Sequence, residues 1–387
     1  MRLSSKAKAI QWIILTFCLW ARAKDIEQQP VFVRGQDGYH TYRIPAVLTT
    51  SKGSVLAFCE GRKASASDSG DIDIVFKRSI DAGKTWGKQQ IIWDDKTNTC
   101  GNPCVVQDKE TGTIFLLLTH NLGKDHEKEI NGGTSSGSRT VWLMKSDDDG
   151  LTWSAPKEIT SAVKEPSWRW YATGPGIGIQ IEHGPKKGRL IIPSDHSVPD
   201  GEHTESQSHV IYSDDHGKSW KIGGSIKPNM NECQVVELSD GKGTLLMSMR
   251  NLPKGSNRAQ SISFDGGSTW SPTARHPQLI DSTCQASILR YRWSTSNEPP
   301  CILFSNPADS SKRINMTVRA SYDEGQNWST DTVLHTSDSA YSCLTVLPDH
   351  TVGCLYERGE KNAYEQITFA RFALTLPDQA DPKPPTK

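Results

Sequence analysis

Short apolar runs of five to nine residues recur along the chain: "GSVLAFCEG", "DIVFKRS", "TIFLLLTHN", "TVWLMKS", "GRLIIPSD", "SHVIYSD", "GTLLMSMRN", "CILFSNPA", "TVGCLYERG" and "ITFARFAL". They are rich in β-branched and aromatic residues. Gly, Pro, Asn, Asp and Ser separate them, and helical periodicity is scarce, so the pattern predicts strand after strand of sheet. One run differs. "AIQWIILTFCLWA" follows Arg2, Lys6 and Lys8 and leads to a small-residue end at Ala23. This predicts a cleavable secretory signal over residues 1–23, too short to span a bilayer comfortably.

Between the apolar runs one polar phrase recurs five times, as "SIDAGKTW", "SDDDGLTW", "SDDHGKSW", "SFDGGSTW" and "SYDEGQNW". Its constant residues are Asp81, Asp148, Asp215, Asp265 and Asp323, with Gly83, Gly150, Gly217, Gly267 and Gly325 two positions on. Asp accepts backbone N–H bonds a few residues on, and Gly supplies a positive φ, so each phrase reads as a self-bonded hairpin turn. Trp86, Trp153, Trp220, Trp270 and Trp328 close the units and are expected to turn inward. These Asp residues are structural. The tryptophans stand 67, 67, 50 and 58 residues apart. A repeat of that length holds about four strands, which predicts propeller blades. The fold class is all-β, a six-bladed β-propeller with four antiparallel strands per blade, in one domain over residues 24–374. The strands near 365–374 are expected to pair with the first ones. Residues 375–387 have the composition of a disordered tail.

Charge narrows the function. The chain carries 44 basic and 44 acidic side chains, and removal of residues 1–23 leaves a formal charge of about −4. That balance gives no sign of nucleic-acid or anionic-membrane binding. The mature chain is expected to be soluble. Eight cysteines remain beyond the signal, an even number that permits disulfides in an exported protein, with Cys100–Cys104 the simplest pairing. No second Cys or His pair completes a zinc pattern. Asn315 ("NMT") and Asn327 ("NWS") are glycosylation acceptors, both expected on the surface.

Several polar residues sit beside apolar strands: Arg43 in "TYRIPAVL", Arg62 and Asp68 in "AFCEGRKASASDSG", Glu232 in "NMNECQVVEL", Arg250 in "LLMSMRN", Arg313 in "SNPADSSKRINMTV", Tyr341 in "SDSAYSCLTVL" and Glu357 in "CLYERG". Any one of them reads most simply as a surface charge or a core tyrosine. Together with the five Asp phrases, and in this order, they resemble the sialidases, both the secreted and lysosomal animal neuraminidases and the bacterial exo-sialidases, over about residues 30–374.

The resemblance implies an exo-α-sialidase that releases terminal sialic acid from glycoproteins, glycolipids or oligosaccharides with retention of configuration. It implies that Arg43, Arg250 and Arg313 grip the substrate carboxylate, as guanidinium forks do. Glu357 steadies the first of them, and Arg62 stands at the rim of the sugar site. Tyr341 is the implied nucleophile, since a neutral phenol avoids setting a second negative charge beside the substrate's own carboxylate. A phenol needs a base, implied to be Glu232, and Asp68 is the implied acid/base, with Asp71, Asp73 and Tyr356 as rival positions. The segment 167–179 is implied to line the N-acyl pocket through Trp170 and Tyr171, with Asn102, His120 or Asn121 reaching the sugar. No metal and no cofactor is expected. The full set of Asp68, Glu232 and Tyr341 argues against a pure binding module. The tyrosine-based sorting tail of animal lysosomal relatives is missing from "KPPTK", so extracellular residence is expected over lysosomal.

Overall fold

The computed structural model describes residues 26–252 and 257–374. The signal expected over 1–23 and the tail expected over 375–387 lie outside the described residues.

The chain is all-β, with only short helical turns. Its strands pair antiparallel with their sequence neighbours in successive groups. Thr41–Thr49, Val55–Arg62, Ile72–Ser79 and Gln90–Trp93 form the first. Thr99–Gln107, Ile114–Asn121, Thr140–Ser146 and Lys157–Glu158 form the next. Tyr171–Thr173, Leu190–Asp200, His203–Ser213 and Lys221–Ile226 follow. Then come Met230–Glu237, Leu245–Asn251, Asn257–Ser263 and Ala274–Ile280. Ser287–Arg292, Cys301–Pro307 and Ile314–Ser321 pair in turn, and Ile314–Ser321 pairs with the first half of the long strand Ser329–Val346. The second half of that strand pairs with Val352–Arg358, which carries Gln366–Phe372. Glu27–Val33 then pairs with Gln366–Phe372, so the two ends of the described chain meet as expected.

The strand that opens each group touches the opening strand of the next, except in the third group, where Leu190–Asp200 also makes the contacts. The series returns from Ser329–Val346 to Thr41–Thr49. Where these strands meet, buried polar groups satisfy one another. Gln234 Nε2 donates to Pro175 O at 3.1 Å, while Gln234 Oε1 accepts from Ser287 Oγ at 2.9 Å. Gln285 Nε2 donates to Ser342 O and its Oε1 accepts from Ser342 N, each at 3.0 Å. A satisfied polar network of this kind fixes one arrangement of the strands.

The five Asp phrases fold alike. In the first, Asp81 Oδ1 accepts from Ser79 Oγ at 2.7 Å and from Thr85 N at 2.9 Å, while Asp81 Oδ2 accepts from Thr85 Oγ1 at 2.6 Å. Asp148, Asp215, Asp265 and Asp323 repeat the pattern. Gly83 has φ +80°, and a Cβ there would lie 2.2 Å from Phe369 of the last group. Gly217 stands in the same relation to Phe115 of the group before its own. All five closing tryptophans are buried or packed on a core cluster, as expected.

Two expectations are corrected. Cys100 and Cys104 are both free and buried, so Cys100 is not bonded to Cys104. Cys100 pairs across from His120 but Cys104 from Leu117, a one-residue register shift. Such a bulge flips the side-chain alternation, so the two thiols enter different core clusters. Of the glycosylation acceptors, Asn327 is exposed, whereas Asn315 is half-buried in a paired strand with Thr317 buried beside it.

Candidate active site

Strand pairing carries most of the candidate residues to one end of the sheets. Arg43 pairs across from Glu60, and Thr41 from Arg62. Met230 pairs with Asn251, which sets Glu232 and Arg250 near one hairpin end. Ser339 pairs with Arg358, flanked by Tyr341 and Glu357, and Ile314 with Asp338 brings in Arg313. There a cavity of about 300 Å³ opens, and Arg43, Arg62, Asp68, Glu232, Arg250, Arg313 and Tyr341 all line it.

The Arg43–Glu357 pair lies at the base of this cavity. Arg43 Nε and Nη2 donate to the two oxygens of Glu357 at 3.1 and 3.3 Å, and Glu357 is fully buried. The same carboxylate accepts the backbone N–H of Ile44 at 2.9 Å and of Tyr341 at 3.0 Å. Ile44 sits at φ +63° beside a register shift, costly for a β-branched residue, and its bond to Glu357 holds it there. Burial works against the Arg43 charge, yet Glu357 with Tyr364, Tyr341 and Asp68 holds its pKa above the ordinary value.

Three guanidinium groups converge on the phenol of Tyr341. Arg43 lies 4.9 Å and Arg313 5.8 Å from its ring centroid, and Arg250 Nη1 lies 3.3 Å from its hydroxyl. Arg250 Nη1 also donates to Glu232 Oε2 at 2.6 Å, so this one nitrogen links the implied base to the implied nucleophile. Burial, with Glu232 adding to it, pushes the Tyr341 hydroxyl well above a normal phenol in spite of the arginines. Arg313 Nη2 donates to Thr283 O at 2.9 Å and Nη1 to Tyr364 Oη at 3.4 Å, with no carboxylate in ion-pair range among the described residues. Three cations facing one small space, only two of them held by carboxylates, form a receptor for an anion.

Asp68, on the loop after Val55–Arg62, is 68% exposed and reaches one member of this set, Arg43. Its Oδ1 lies 2.7 Å from Arg62 Nη1 and 3.4 Å from Arg43 Nη1. Partial burial would raise its pKa, but Arg62 and Arg43 outweigh this and hold it below the usual carboxylate range. Arg62 is itself fixed by Glu60 Oε2 at 2.6 Å.

The rival positions fall elsewhere. Asp71 and Asp73 bind Lys63, Asp73 also accepts from Tyr39, and Tyr356 donates to Gln28. The expectation for Tyr171 is corrected. Trp170 and Ala172 line the cavity, but Tyr171 between them points the other way and is fully buried with its hydroxyl 3.0 Å from His209 Nε2. Alternation along an extended strand separates them. Asn102 lines the cavity, whereas His120 packs on Trp93 and Asp95 away from it. The cavity also holds residues that the sequence did not single out: Glu60, Glu127, Arg139, Asp195, Asn231 and Tyr364. Asp195 is buried, with Oδ2 accepting from Asn231 Nδ2 at 3.1 Å, and burial together with nearby Glu232 and Glu127 pushes its carboxyl well up. Tyr364 stacks on Arg43 at 4.1 Å.

Comparison with known proteins agrees with this architecture. A family described as "BNR repeat-like domain" matches residues 53–354. A sialidase of Micromonospora viridifaciens is 33% identical over 367 residues, covering 91% of this chain; the chain spans 56% of that relative's length. An exo-alpha-sialidase of Aspergillus fumigatus is 31% identical over 370 residues, covering 87% of this chain and 85% of its own. Among solved structures, the Hadza microbial sialidase Hz136 superposes with a TM-score of 0.79 at 32% identity, over 90% of this chain and 68% of its own.

Proposed function

The chain belongs to the sialidase family, and from that premise we propose that it hydrolyses the terminal α-linked sialic acid of sialylated glycans with retention, through a covalent bond to Tyr341. The observation that carries the reading is the convergence of Arg43, Arg250 and Arg313 on the Tyr341 phenol, with Glu232 joined to that phenol through Arg250.

The substrate carboxylate takes the anion site among the three arginines and displaces Asp68 from Arg43 Nη1. Freed of one cation and screened from water by the sugar, Asp68 has its pKa raised and takes up a proton from solvent as the substrate binds, which makes it the general acid. It protonates the leaving glycosidic oxygen while Tyr341 Oη bonds to the anomeric carbon and Glu232 takes the phenol proton. In the second half, water attacks the anomeric carbon and gives its proton to Asp68. Tyr341 leaves and takes its proton back from Glu232, so every proton is accounted for. Each such transfer is worth about 10²–10⁴ in rate. No step calls for a metal or cofactor.

In this reading the six strand groups are the blades of one propeller over residues 24–374, and the cavity lies at one mouth of its axis. The signal-like residues 1–23 support entry into the secretory pathway. Among the described residues no helix is long and apolar enough to cross a membrane. The test is hydrolysis of a fluorogenic α-sialoside by purified protein between pH 4 and 7, with and without an unsaturated sialic acid analogue. Release that the analogue blocks is expected; no release at any pH overturns the proposal.

A further inference from the structure

Arg139 is 2% exposed and lines the same cavity, yet the proposed chemistry gives it no task. Arg43, Arg62 and Arg250 each pair with a carboxylate, Glu357, Glu60 and Glu232. Arg139 has none within ion-pair distance among the described residues. Its partners are neutral: Nε donates to Tyr171 O at 2.8 Å, Nη1 to Asn121 Oδ1 and Nη2 to Asn102 Oδ1. The guanidinium lies 4.0 Å over the Trp170 ring. Burial lowers its pKa to about 10, and Glu60, Glu127, Asp195 and Asp68 act on it only from a distance. A buried cation without a counter-ion costs stability. Its bond to Asn102 and its stacking on Trp170 fix one wall of the cavity.

The consequence is sharpest at Asn102. Its Oδ1 receives both Arg139 Nη2 and Thr119 Oγ1, the latter at 3.1 Å. With the carbonyl oxygen so engaged, the amide nitrogen is the end left to face the cavity that Asn102 lines. Trp170, stacked under the same guanidinium, is held as a flat apolar face beside that donor. The wall adjoins the Arg62–Glu60 pair, since Asn102 N donates to Glu60 Oε1 at 2.9 Å.

We propose that Arg139 is a positioning residue that locks Asn102 with its N–H group toward the sugar and holds Trp170 flat, thereby setting substrate affinity rather than the rate of bond cleavage. This rests on the sialidase reading. The test compares wild type, Arg139→Ala and Arg139→Lys on one α-sialoside, with thermal melting of each. Loss of an interaction made equally in ground and transition states raises KM and spares kcat. Arg139→Ala is expected to raise KM about tenfold with kcat within threefold. Guanidinium ion at low millimolar concentration is expected to restore KM, where sodium at equal ionic strength does not. Arg139→Lys, which cannot reach both asparagines and stack, is expected to melt near wild type and keep the raised KM. Wild-type KM in either variant overturns the proposal. So does a loss that melting accounts for and guanidinium leaves unrescued, and so does failure of the Lys variant to fold, since each makes the role structural. Absence of wild-type hydrolysis instead overturns the sialidase reading.

Discussion

Replacing Glu357 with Gln tests the centre of the site without changing its size. The carboxylate accepts four hydrogen bonds, from Arg43 Nε and Nη2 and from the amides of Ile44 and Tyr341, and is completely buried. A glutamine oxygen can keep the pair on one side. Its NH₂ then faces two donors, Arg43 Nη2 and the Tyr341 amide, and Arg43 loses its counter-charge. Breaking a buried ion pair from one side costs about 3–5 kcal/mol. With an unfolding entropy of about 2.1 cal/mol/K per residue over roughly 350 residues, that is a fall in Tm of about 4–7 °C. With its counter-charge gone and Nη2 facing an amide donor, Arg43 swings out of line, so KM for a sialoside is expected to rise at least tenfold. Scanning calorimetry of both proteins at one pH, with initial rates on the same preparations, reads both effects. A Glu357→Gln protein that melts within about 1 °C of wild type and keeps its KM would refute the assignment of Glu357 as the anchor of Arg43.

Three further outcomes follow from other parts of the structure. Asp68→Asn removes the carboxylate that pairs with Arg62 and Arg43; an unsaturated sialic acid analogue is expected to bind several-fold more tightly while kcat falls by at least about 10², and unchanged or weaker binding would contradict the displacement of Asp68. His196 is buried against Trp168 at 3.5 Å, and burial lowers its pKa to about 3. The unfolded chain binds that proton near 6.5, so His196 withdraws stability as pH falls below about 6.5, by about 1.4 kcal/mol per unit; denaturant titrations should show His196→Gln losing less between pH 6.5 and 5, and equal slopes would rule this out. Gly83→Ala puts a methyl group 2.2 Å from Phe369 at φ +80°; a loss of about 2–4 kcal/mol in denaturant unfolding is expected, and a neutral result would deny the turn its close contact with the last strand group.

The parts of this fold legible in the sequence are those with local causes. Each Asp phrase bonds within itself over four residues, so its geometry is written in eight letters. The arginines at strand ends are legible only as a set and only through resemblance, because packing of one strand group against another brings together positions some 300 residues apart, as with Arg43 and Glu357. What escaped depended on phase. Tyr171 was misjudged because a three-residue strand gives no alternation to read, and its neighbours Trp170 and Ala172 took the cavity face. The Cys100–Cys104 pairing failed on a bulge that leaves no mark in composition. Arg139 carried the same sign as Arg250 and Arg313, an arginine beside the apolar strand "TVWLMKS", and could have been picked out on that ground. Asp195 could not, since only the fold turns it from a strand aspartate into a buried acid facing the cavity.

The most direct measurement is to trap the covalent species. A fluorinated sialosyl fluoride, which forms the glycosyl-enzyme quickly and releases it slowly, is mixed with the protein, and the peptides are read by mass spectrometry. One sialosyl adduct is expected, on the peptide containing Tyr341, absent from Tyr341→Phe. Turnover of the sialoside with the adduct on another side chain, or undiminished turnover by Tyr341→Phe, would contradict the account.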